Sequence, residues 1–325
     1  MTGKNSSFNL KQKYSSKDLA IIVPTRDRPR QVKLLLDSIC DLNCRVGRII
    51  VVASGEDVKE IVMSFIDRIP VEYYFDEPGQ IKQRNKGISV LDSSTKLVAT
   101  IDDDVYFTET AVSEIIKFWN SVEPETAGVG FNIVNIPSHN YNWLMGKFGI
   151  NVPEPGKVLK SGLNTSITNV KKNFRSEWLN GGGTVWRQKI LKEFPHKEIY
   201  SKWAVGEDLI FSYPIGKIHP LYVCASAKIR TEDIRLIKES PIKSRYRGRT
   251  KFLWGLFFIQ QNYQLSMYSF FLRMFAEIFA NFIKGILNRD TRRIYNGLGM
   301  ISGFLISLNC IFKKKNIIEI IEKKT

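Results

Sequence analysis

The sequence predicts an α/β fold, in which a doubly wound, mainly parallel sheet is followed by a mostly helical C-terminal region. Short apolar runs rich in β-branched residues alternate with segments of helical spacing over the first hundred residues, which is the pattern of βαβ units. Basic and aromatic residues are concentrated in the last 85 of the 325 residues. Hydrophobic residues make up 43% and charged residues 25%, which argues against wholesale disorder and against a polytopic membrane protein.

The first βα unit shows the pattern most clearly. Residues 19–23 form an apolar run that stops at Pro24, as expected for a buried parallel strand. Asp27 is the expected cap of the next helix, and Pro29 lies in its first turn. The apolar face of this helix consists of Val32, Leu35, Leu36 and Ile39. Further strands are predicted at 48–52, 71–75 and 97–101, and further helices at 58–66 and 81–91.

Ligands of doubly wound sheets bind at the carboxyl ends of the strands. The fourth predicted strand ends there with Asp102-Asp103-Asp104. In an extended segment, residues two apart point to the same side, so Asp102 and Asp104 are expected to converge while Asp103 faces away. A hard divalent cation shared with a diphosphate relieves the repulsion between such carboxylates. An acidic, solvated turn is the alternative interpretation.

Other kinds of site fit the sequence less well. The cysteines at positions 40, 44, 224 and 310 are too few and too scattered for a disulfide framework or a four-thiolate zinc site, and they are interpreted as reduced cytosolic thiols. The glycines at 181–183 are not followed by the Gly-Lys-Ser/Thr of a phosphate-binding loop. A close approach of this backbone to an acceptor is the favoured interpretation.

Five segments, taken in order, resemble glycosyltransferase family 2, whose members have the GT-A fold and transfer a sugar from a nucleotide-sugar donor. They cover about residues 18–235. Each segment is a weak signal alone, but the ordered set is specific. The segments are Ile21-Ile-Val-Pro-Thr-Arg-Asp-Arg-Pro29, Gly79-Gln-Ile-Lys-Gln-Arg-Asn-Lys-Gly87, Leu97–Val105, Asn180-Gly-Gly-Gly-Thr-Val-Trp-Arg187 and Gly206-Glu-Asp-Leu209.

The resemblance implies a role for each matching residue. It assigns Asp102 to the nucleoside ribose and, together with Asp104, to a metal ion that is either Mg²⁺ or Mn²⁺. The metal stabilises the departing nucleoside diphosphate as a Lewis acid. The other implied donor-binding residues are Pro24, Thr25, Arg26, Arg28, Arg84 and Asp103. The implied acceptor-side residues are Gly182, Gly183 and Trp203. Surface ion pairs are the alternative for Arg28 and Arg84, and a core aromatic is the alternative for Trp203.

Asp208, with Glu207 beside it, is the predicted catalytic residue. Attack of an acceptor hydroxyl on the anomeric carbon needs a carboxylate that takes the proton as the bond forms, and direct displacement inverts the anomeric configuration. The pair precedes Leu209, Ile210 and Phe211, so it is expected to open a helix, whose N-terminal dipole favours carboxylates. Acidic residues also open helices without any catalytic role, so only the position after the glycine-rich loop supports the assignment.

The sequence departs from the family pattern at two places. Many members have an acidic residue after the second strand that reads the base, whereas this chain has Val52-Ala53-Ser54-Gly55, with Glu56 arriving later. A late histidine often completes the metal site, but the segment after Tyr222 lacks one. The remaining candidates for this metal ligand are Glu232 and Asp233, and the third alternative is that the protein supplies no ligand at this position. His219 comes too early and is interpreted as structural.

The C-terminal region is strongly basic. Of the formal net charge of +16, +11 lies in residues 241–325, which contain 15 Lys and Arg against four Asp and Glu. Aromatic and aliphatic residues accompany these charges, which favours an anionic bilayer surface over nucleic acid as the partner. Two uncharged stretches, 252–272 and 294–312, have about the length of a membrane span but are interrupted by polar residues or glycines. The second stretch could therefore lie in the membrane interface, span the membrane or form an ordinary helix of a folded subdomain.

The predicted organisation is a polar N-terminal tail (1–17), a GT-A catalytic domain (18–235) and a basic, aromatic-rich, membrane-associating helical region (236–325). The predicted function is an inverting, metal-dependent glycosyltransferase that uses a nucleotide-diphosphate-sugar donor. Its acceptor is a lipid-linked or growing glycan of bacterial surface polysaccharide, and it works peripherally at the cytoplasmic face of the plasma membrane. The alternatives are a nucleotidyltransferase acting on sugar phosphates, a basic nucleic-acid-binding protein and a catalytically silent partner subunit.

Overall fold

The computed structural model describes residues 13–141, 143, 151–198, 206–232, 240–312, 317–318 and 321. A 3₁₀ turn (Ser16–Asp18) precedes the sheet. The strands are β1 (Leu19–Arg26), β2 (Arg48–Ser54), β3 (Val71–Phe75), β4 (Leu97–Ile101), β5 (Val105–Phe107), β6 (Gly128–Ile133), β7 (Phe174–Ser176), β8 (Gly183–Arg187) and β9 (Leu221–Thr231). The helices are α1 (Pro29–Cys40), α2 (Lys59–Met63), α3 (Gln80–Ser89), α4 (Ala111–Ser121), α5 (Gln188–Glu193), α6 (Glu207–Ile218), α7 (Pro241–Gln261), α8 (Met267–Leu287) and α9 (Thr291–Phe312).

The strands of the described residues form one sheet in the order β3-β2-β1-β4-β8-β6-β9-β5, and β7 pairs with β9. The first four strands in this order are parallel. Strand β8 runs antiparallel to both β4 and β6, and β6 runs parallel to β9. The strands β1 to β4, β6 and β9 therefore all point the same way, which confirms the predicted mainly parallel sheet.

Alternate residues of each central strand pack into two separate cores, because both faces of the sheet are covered. Ile21 and Val23 of β1 lie in the first core with the buried faces of α1 and α4. Ile22 lies in the second core, with Leu209 and Tyr213 of α6. Burial on both faces explains why the predicted strands are continuous apolar runs rather than alternating ones.

Some local predictions are wrong in detail. Helix α2 ends at Met63, short of the predicted residue 66. The N-cap of α1 is Arg28, not Asp27, and it makes no side-chain cap bond. Asp27 has a positive φ of 54°, and its Oδ1 accepts a hydrogen bond from the backbone of Glu56 at 2.8 Å instead. This carboxylate therefore ties the loop after β1 to the loop after β2.

The segment before the sheet is partly packed. Tyr14 is buried in the first core, and the backbone amides of Lys13 and Tyr14 donate to Oδ1 of Asn120 on α4. The described part of the predicted polar tail thus contacts the domain that follows it.

The three C-terminal helices enclose a third core, built around Phe252, Trp254 and Phe270. Helices α7 and α9 approach closely at two glycines. A Cβ at Gly248 would overlap the carbonyl oxygen of Asn296, and a Cβ at Gly299 would overlap the carbonyl oxygen of Arg245. The predicted apolar stretch 252–272 is divided between α7 and α8. Across the residues that the structure describes, none of the helices has the length and apolarity needed to span a bilayer.

Candidate active site

The topology brings four chain segments to one edge of the sheet. Strands β1 and β4 are parallel neighbours, so Thr25 and Asp102 lie at the same edge. The antiparallel strand β8 starts at this edge, where the amide of Asp102 donates to the carbonyl of Gly182 at 3.2 Å. Helix α6 begins there with Glu207 and Asp208. The edge therefore collects residues that are up to 183 positions apart in the chain.

One cluster of the site is built around Asp103. Its Oδ2 accepts a hydrogen bond from Thr25 Oγ1 at 2.7 Å, and its Oδ1 accepts one from Arg28 Nη1 at 2.8 Å. The same Arg28 nitrogen donates to Asp104 Oδ2 at 3.1 Å. Burial raises the pKa of Asp103, although Thr25 and Arg28 favour its charged form. Arg28 therefore holds two adjacent carboxylates together.

The acidic triplet does not adopt the expected extended conformation. The amide of Val105 donates to the carbonyl of Asp102 at 3.1 Å, which closes a turn. Asp103 consequently points to β1 and not away from the site. Burial is the main cause that raises the pKa of Asp104, and repulsion from Asp102 adds to it.

A second cluster is built around Arg84, whose side chain is only 2% exposed. Its Nη2 donates to Asp102 Oδ1 at 2.8 Å, and its Nη1 donates to Glu207 Oε1 at 2.9 Å. Gln80 Nε2 also donates to Asp102 Oδ1, at 2.7 Å. A buried guanidinium that spans two carboxylates from distant segments is not a surface ion pair, and it links the β4 end to the start of α6.

Asp208 is held by its own helix. Its Oδ1 accepts the backbone N–H of Leu209 at 2.8 Å, as the first turn of a helix allows. Burial is the main cause that raises the pKa of Asp208, and the charge of Asp102 adds to it, whereas Arg84 acts in the opposite direction. Burial likewise raises the pKa of Glu207.

Two glycines pack closely against the charged side chains at this edge. A Cβ at Gly182 would overlap the carboxylate of Asp102. A Cβ at Gly181 would lie 3.0 Å from Arg84 Nη1 and 3.3 Å from the Cβ of Asp208. The backbone before β8 therefore passes directly between the two sets of carboxylates. Gly206, with φ of +80°, makes the left-handed turn into α6.

The model of the family described as Glycosyl transferase family 2 matches residues 20–194, more than half of the chain. The chain belongs to glycosyl transferase family 2. The match begins with β1 and ends just after α5, so it includes Asp102, Asp104, Arg84 and the glycine-rich segment. No curated protein matches the chain.

Solved structures of glycosyltransferases share the fold of this family 2 chain. The mannosyltransferase PcManGT from Pyrobaculum calidifontis, solved with GDP-Man and Mn²⁺, is 14% identical, with a TM-score of 0.51 over 90% of this chain and 88% of that one. GalNAc-T7, solved with UDP, GalNAc and Mn²⁺, is 12% identical, with a TM-score of 0.51 over 73% of this chain and 48% of that one. TarS of S. aureus is 16% identical, with a TM-score of 0.46 over 71% of this chain and 38% of that one. The chain thus contains a family 2 domain, and the fold it shares with PcManGT and GalNAc-T7 is the GT-A fold.

The structure does not bring every predicted residue into the two clusters. Pro24 is buried inside β1, opposite Val52 of β2. Arg26 is exposed and pairs with Asp27 at 3.4 Å. Gly183 begins β8, where a Cβ would lie 3.2 Å from Ile229. Trp203 lies outside the described residues, as does Asp233.

Sequence reasoning missed the supporting glutamines and a buried histidine. Gln80 contacts Asp102 directly, and Gln83 Nε2 donates to the carbonyls of Thr25 and Val52, both at 2.7 Å. His196 stacks on Phe211 with ring centroids 3.6 Å apart. Gln80 precedes Arg84 by four residues, so helical spacing from Arg84 is a signal that could have found it. Gln83 is adjacent to Arg84, so this spacing gives no signal for it.

The chemistry of the donor set fits a hard divalent cation. Asp102 and Asp104 are neighbouring carboxylates whose mutual repulsion a cation would relieve. Within the described ranges, no group of three His, Cys, Asp or Glu side chains is arranged to hold a metal ion. Mg²⁺ is commonly bound by one or two carboxylates together with substrate phosphates, so two protein ligands suffice for a metal that a diphosphate shares.

Proposed function

We propose that this protein is an inverting, metal-dependent glycosyltransferase that moves a sugar from a nucleotide-diphosphate-sugar donor to a hydroxyl of a glycan. The observation that carries the proposal is the buried Arg84, which joins Asp102 on the donor side to Glu207 beside Asp208. In this proposal, Asp102 and Asp104 serve the donor and Asp208 serves the acceptor at the same edge of the sheet. The Mn²⁺-bound structures of PcManGT and GalNAc-T7 support the metal and the nucleotide-sugar donor.

Asp208 is the proposed general base. Its raised pKa, caused mainly by burial, makes it a better proton acceptor than an exposed aspartate once it is ionised. The hydroxyl of the acceptor transfers its proton to Asp208 while its oxygen attacks the anomeric carbon from the side opposite the leaving group. Direct displacement of this kind inverts the configuration at that carbon.

Asp102 and Asp104 are the proposed metal ligands, with Asp102 also facing the ribose. When bound, Mg²⁺ or Mn²⁺ neutralises the charge that develops on the departing nucleoside diphosphate. Arg84 and Gln80 fix the orientation of Asp102, and Thr25 and Arg28 fix that of Asp103. The nucleotide-facing carboxylates are thus oriented by the protein before any substrate binds, which reduces reorganisation during the reaction.

We place this enzyme peripherally at the cytoplasmic face of a bacterial membrane, acting on lipid-linked or growing surface polysaccharide. The support is the exposed face of α8, here called the α8 apolar face, which lies on one side of the helix over about 27 Å. Lys284, Arg289 and Arg293 are exposed at its C-terminal end. An apolar stripe beside basic residues is typical of a helix that lies in an anionic interface. The face consists of Tyr268, Leu272, Phe275, Phe279, Ile283 and Ile286.

A thermal-shift panel tests the donor part of the proposal. UDP-, GDP-, dTDP- and CMP-sugars are added with and without Mn²⁺, because a ligand that binds only the native state raises the melting temperature by mass action. One nucleotide class is expected to give a metal-dependent shift that Asp104→Asn abolishes. A shift of equal size in Asp104→Asn would remove Asp104 from the metal site, and no shift with any donor would contradict the proposed function.

A further inference from the structure

A groove of about 740 Å³ is lined by residues of β6, β9 and the segment 169–173, none of which belongs to the two carboxylate clusters. Four cationic side chains line it, and no carboxylate is among its lining residues. All four are exposed, and none of them forms an ion pair with a carboxylate in the described part of the chain. An unneutralised group of four positive charges around one concave surface attracts anions. The cations are Lys171, Lys172, Lys228 and Arg230.

Two asparagines connect the chain segments that form the groove. Asn132 is 1% exposed, and its Nδ2 donates to the carbonyls of Val170 at 3.0 Å and Ala225 at 2.9 Å. Its Oδ1 accepts the amide of Val170 at 3.0 Å. Asn173 Oδ1 accepts the amide of Ala225 at 2.7 Å. These bonds fix the segment that carries Lys171 and Lys172 against β9, which carries Lys228 and Arg230.

A bulge turns the cations of β9 towards the groove. Phe131 pairs with Cys224, but the next residue, Asn132, pairs with Lys228, so three residues of β9 are left over between them. Bulges re-aim the side chains that follow them. Ile229, after the bulge, packs into the first core, so its neighbours Lys228 and Arg230 face the opposite side of the sheet. That is the side on which α6 packs through Leu209 and Tyr213.

The groove and the active site are therefore neighbours on one face. Strand β6 pairs with β8 with Gly130 opposite Thr184. Asn132, which lines the groove, lies two residues beyond Gly130, and Gly182 lies two residues before Thr184. The amide of Glu232, two residues beyond Arg230, donates to the carbonyl of Asp104 at 2.9 Å. The β9 side of the groove is thus joined through the backbone to the acidic triplet, which puts the groove within reach of a chain that extends from the catalytic carboxylates.

We infer that the acceptor is anionic and that this groove binds its repeating phosphate or carboxylate groups next to the hydroxyl that is glycosylated. The inference rests on the proposed function, because it assigns the groove to the acceptor of the same reaction. A neutral glycan would leave these four cations without counter-charges. A membrane surface is flat and contacts a convex face, which makes a concave groove a poorer match than a flexible charged chain.

The test measures binding of full-length protein to three fluorescent probes: a linear polyphosphate, an oligogalacturonate and a neutral dextran of similar length. Lys171→Gln/Lys172→Gln and Lys228→Gln remove charges from the groove. Lys117→Gln/Lys189→Gln is the matched control, because both lysines are exposed and lie outside the groove. Either groove variant is expected to weaken binding of at least one anionic probe by about tenfold and to reduce its salt dependence, while the control changes it less than about twofold.

Equal losses in groove and control variants would show that only net charge matters, and equal binding of dextran would show that anions are not preferred. Either result overturns the inference. Whether phosphate or carboxylate binds more tightly distinguishes the two sources of charge. A separate experiment measures binding to vesicles with and without phosphatidylglycerol. A loss of vesicle binding that is confined to the groove variants would assign the groove to lipid and overturn the acceptor assignment. The Mn²⁺-dependent nucleotide shift of the unmodified chain reports on the proposed function independently.

Discussion

At the scale of single residues, the site depends on how charges are distributed among a few buried side chains. Arg84 is the counter-charge that allows Asp102 and Glu207 to share a confined edge of the sheet. Asp208 receives no direct bond from Arg84 among the contacts described, and it is held by its own backbone instead. The network therefore fixes Asp102 and Glu207 while leaving Asp208 available as a proton acceptor.

Replacing Asp208 by Asn is expected to remove the base and leave donor binding intact. Loss of a general base lowers the turnover rate by about 10²- to 10⁴-fold, measured as nucleoside diphosphate release with the donor that the thermal-shift panel selects. In the unmodified enzyme, the rate should fall as pH decreases through the raised pKa of Asp208, because only the ionised carboxylate accepts a proton. The exposed Asp67→Asn is the matched control, and an unchanged rate in Asp208→Asn would place the base elsewhere.

His196 gives a prediction on the pH dependence of stability. Burial, and to a smaller extent the charge of Arg84, lowers its pKa to about 3. Between pH 6.5 and 3 the unfolded chain binds a proton here that the native chain does not, so lowering the pH favours unfolding by about 1.4 kcal/mol per pH unit.

The comparison that isolates this effect is the free energy of unfolding at pH 6.5 and pH 5.0 for the unmodified chain and for His196→Gln. The unmodified chain should lose about 2 kcal/mol more than the variant over this interval. The raised pKa values of buried carboxylates act in the opposite direction, but they are common to both proteins. Parallel pH profiles would show that His196 is protonated in the native state.

At the scale of secondary structure elements, α8 is unusual because an entire face of the helix is apolar and exposed. Phe275 is 48% exposed and Phe279 68% exposed, and both lie on the α8 apolar face. A partner that covers this face would bury these rings, and an anionic bilayer surface is the proposed one.

Phe275→Gln/Phe279→Gln is expected to reduce sedimentation with phosphatidylglycerol vesicles. Burial of these two exposed aromatic rings contributes about 2 kcal/mol, which corresponds to roughly a thirtyfold loss of partitioning when both are removed. The control variant Ile66→Gln/Ile218→Gln removes two comparably exposed apolar side chains elsewhere and should bind vesicles normally. Undiminished binding of the α8 variant would contradict the assignment of this face to the membrane.

At the scale of the whole molecule, the C-terminal helices are packed onto the catalytic part of the chain. Phe258 of α7 belongs to the second core, where its ring lies 5.5 Å from that of Tyr213 on α6. Ile210, two residues from Asp208, packs against both the second and the third core. The backbone of Ser266 also donates to the carbonyl of Lys160 at 2.7 Å.

This shared packing predicts a single cooperative unfolding transition for the full chain. Calorimetry should give one peak, because α6 cannot keep its buried face when α7 separates from it. Ending the chain before Pro241 exposes Ile210 and Tyr213, and the expected result is a clearly lower melting temperature and a weaker metal-dependent nucleotide shift. Two independent transitions, or a truncated chain as stable as the intact one, would show that the two regions fold separately.

The sequence by itself determined the parallel half of the sheet and the chemistry of its edge. Apolar runs and helical spacings are local properties, so the strands that carry Thr25 and Asp102 and the helix that begins at Glu207 could be predicted from neighbouring residues alone. The motif order sufficed for the family, because it needs only residue identities and their sequence.

Only the tertiary structure decided which charges meet. The turn at Asp103, the bridge from Arg84 to Glu207 and the support from Gln80 depend on contacts between segments far apart in the chain, and no local pattern encodes their distances. The basic groove has the same origin, because Lys171 and Lys228 are 57 positions apart and face one cavity only after a bulge shifts the register of β9 on β6. Local sequence sets conformation, whereas packing sets the proximity on which electrostatics and catalysis depend.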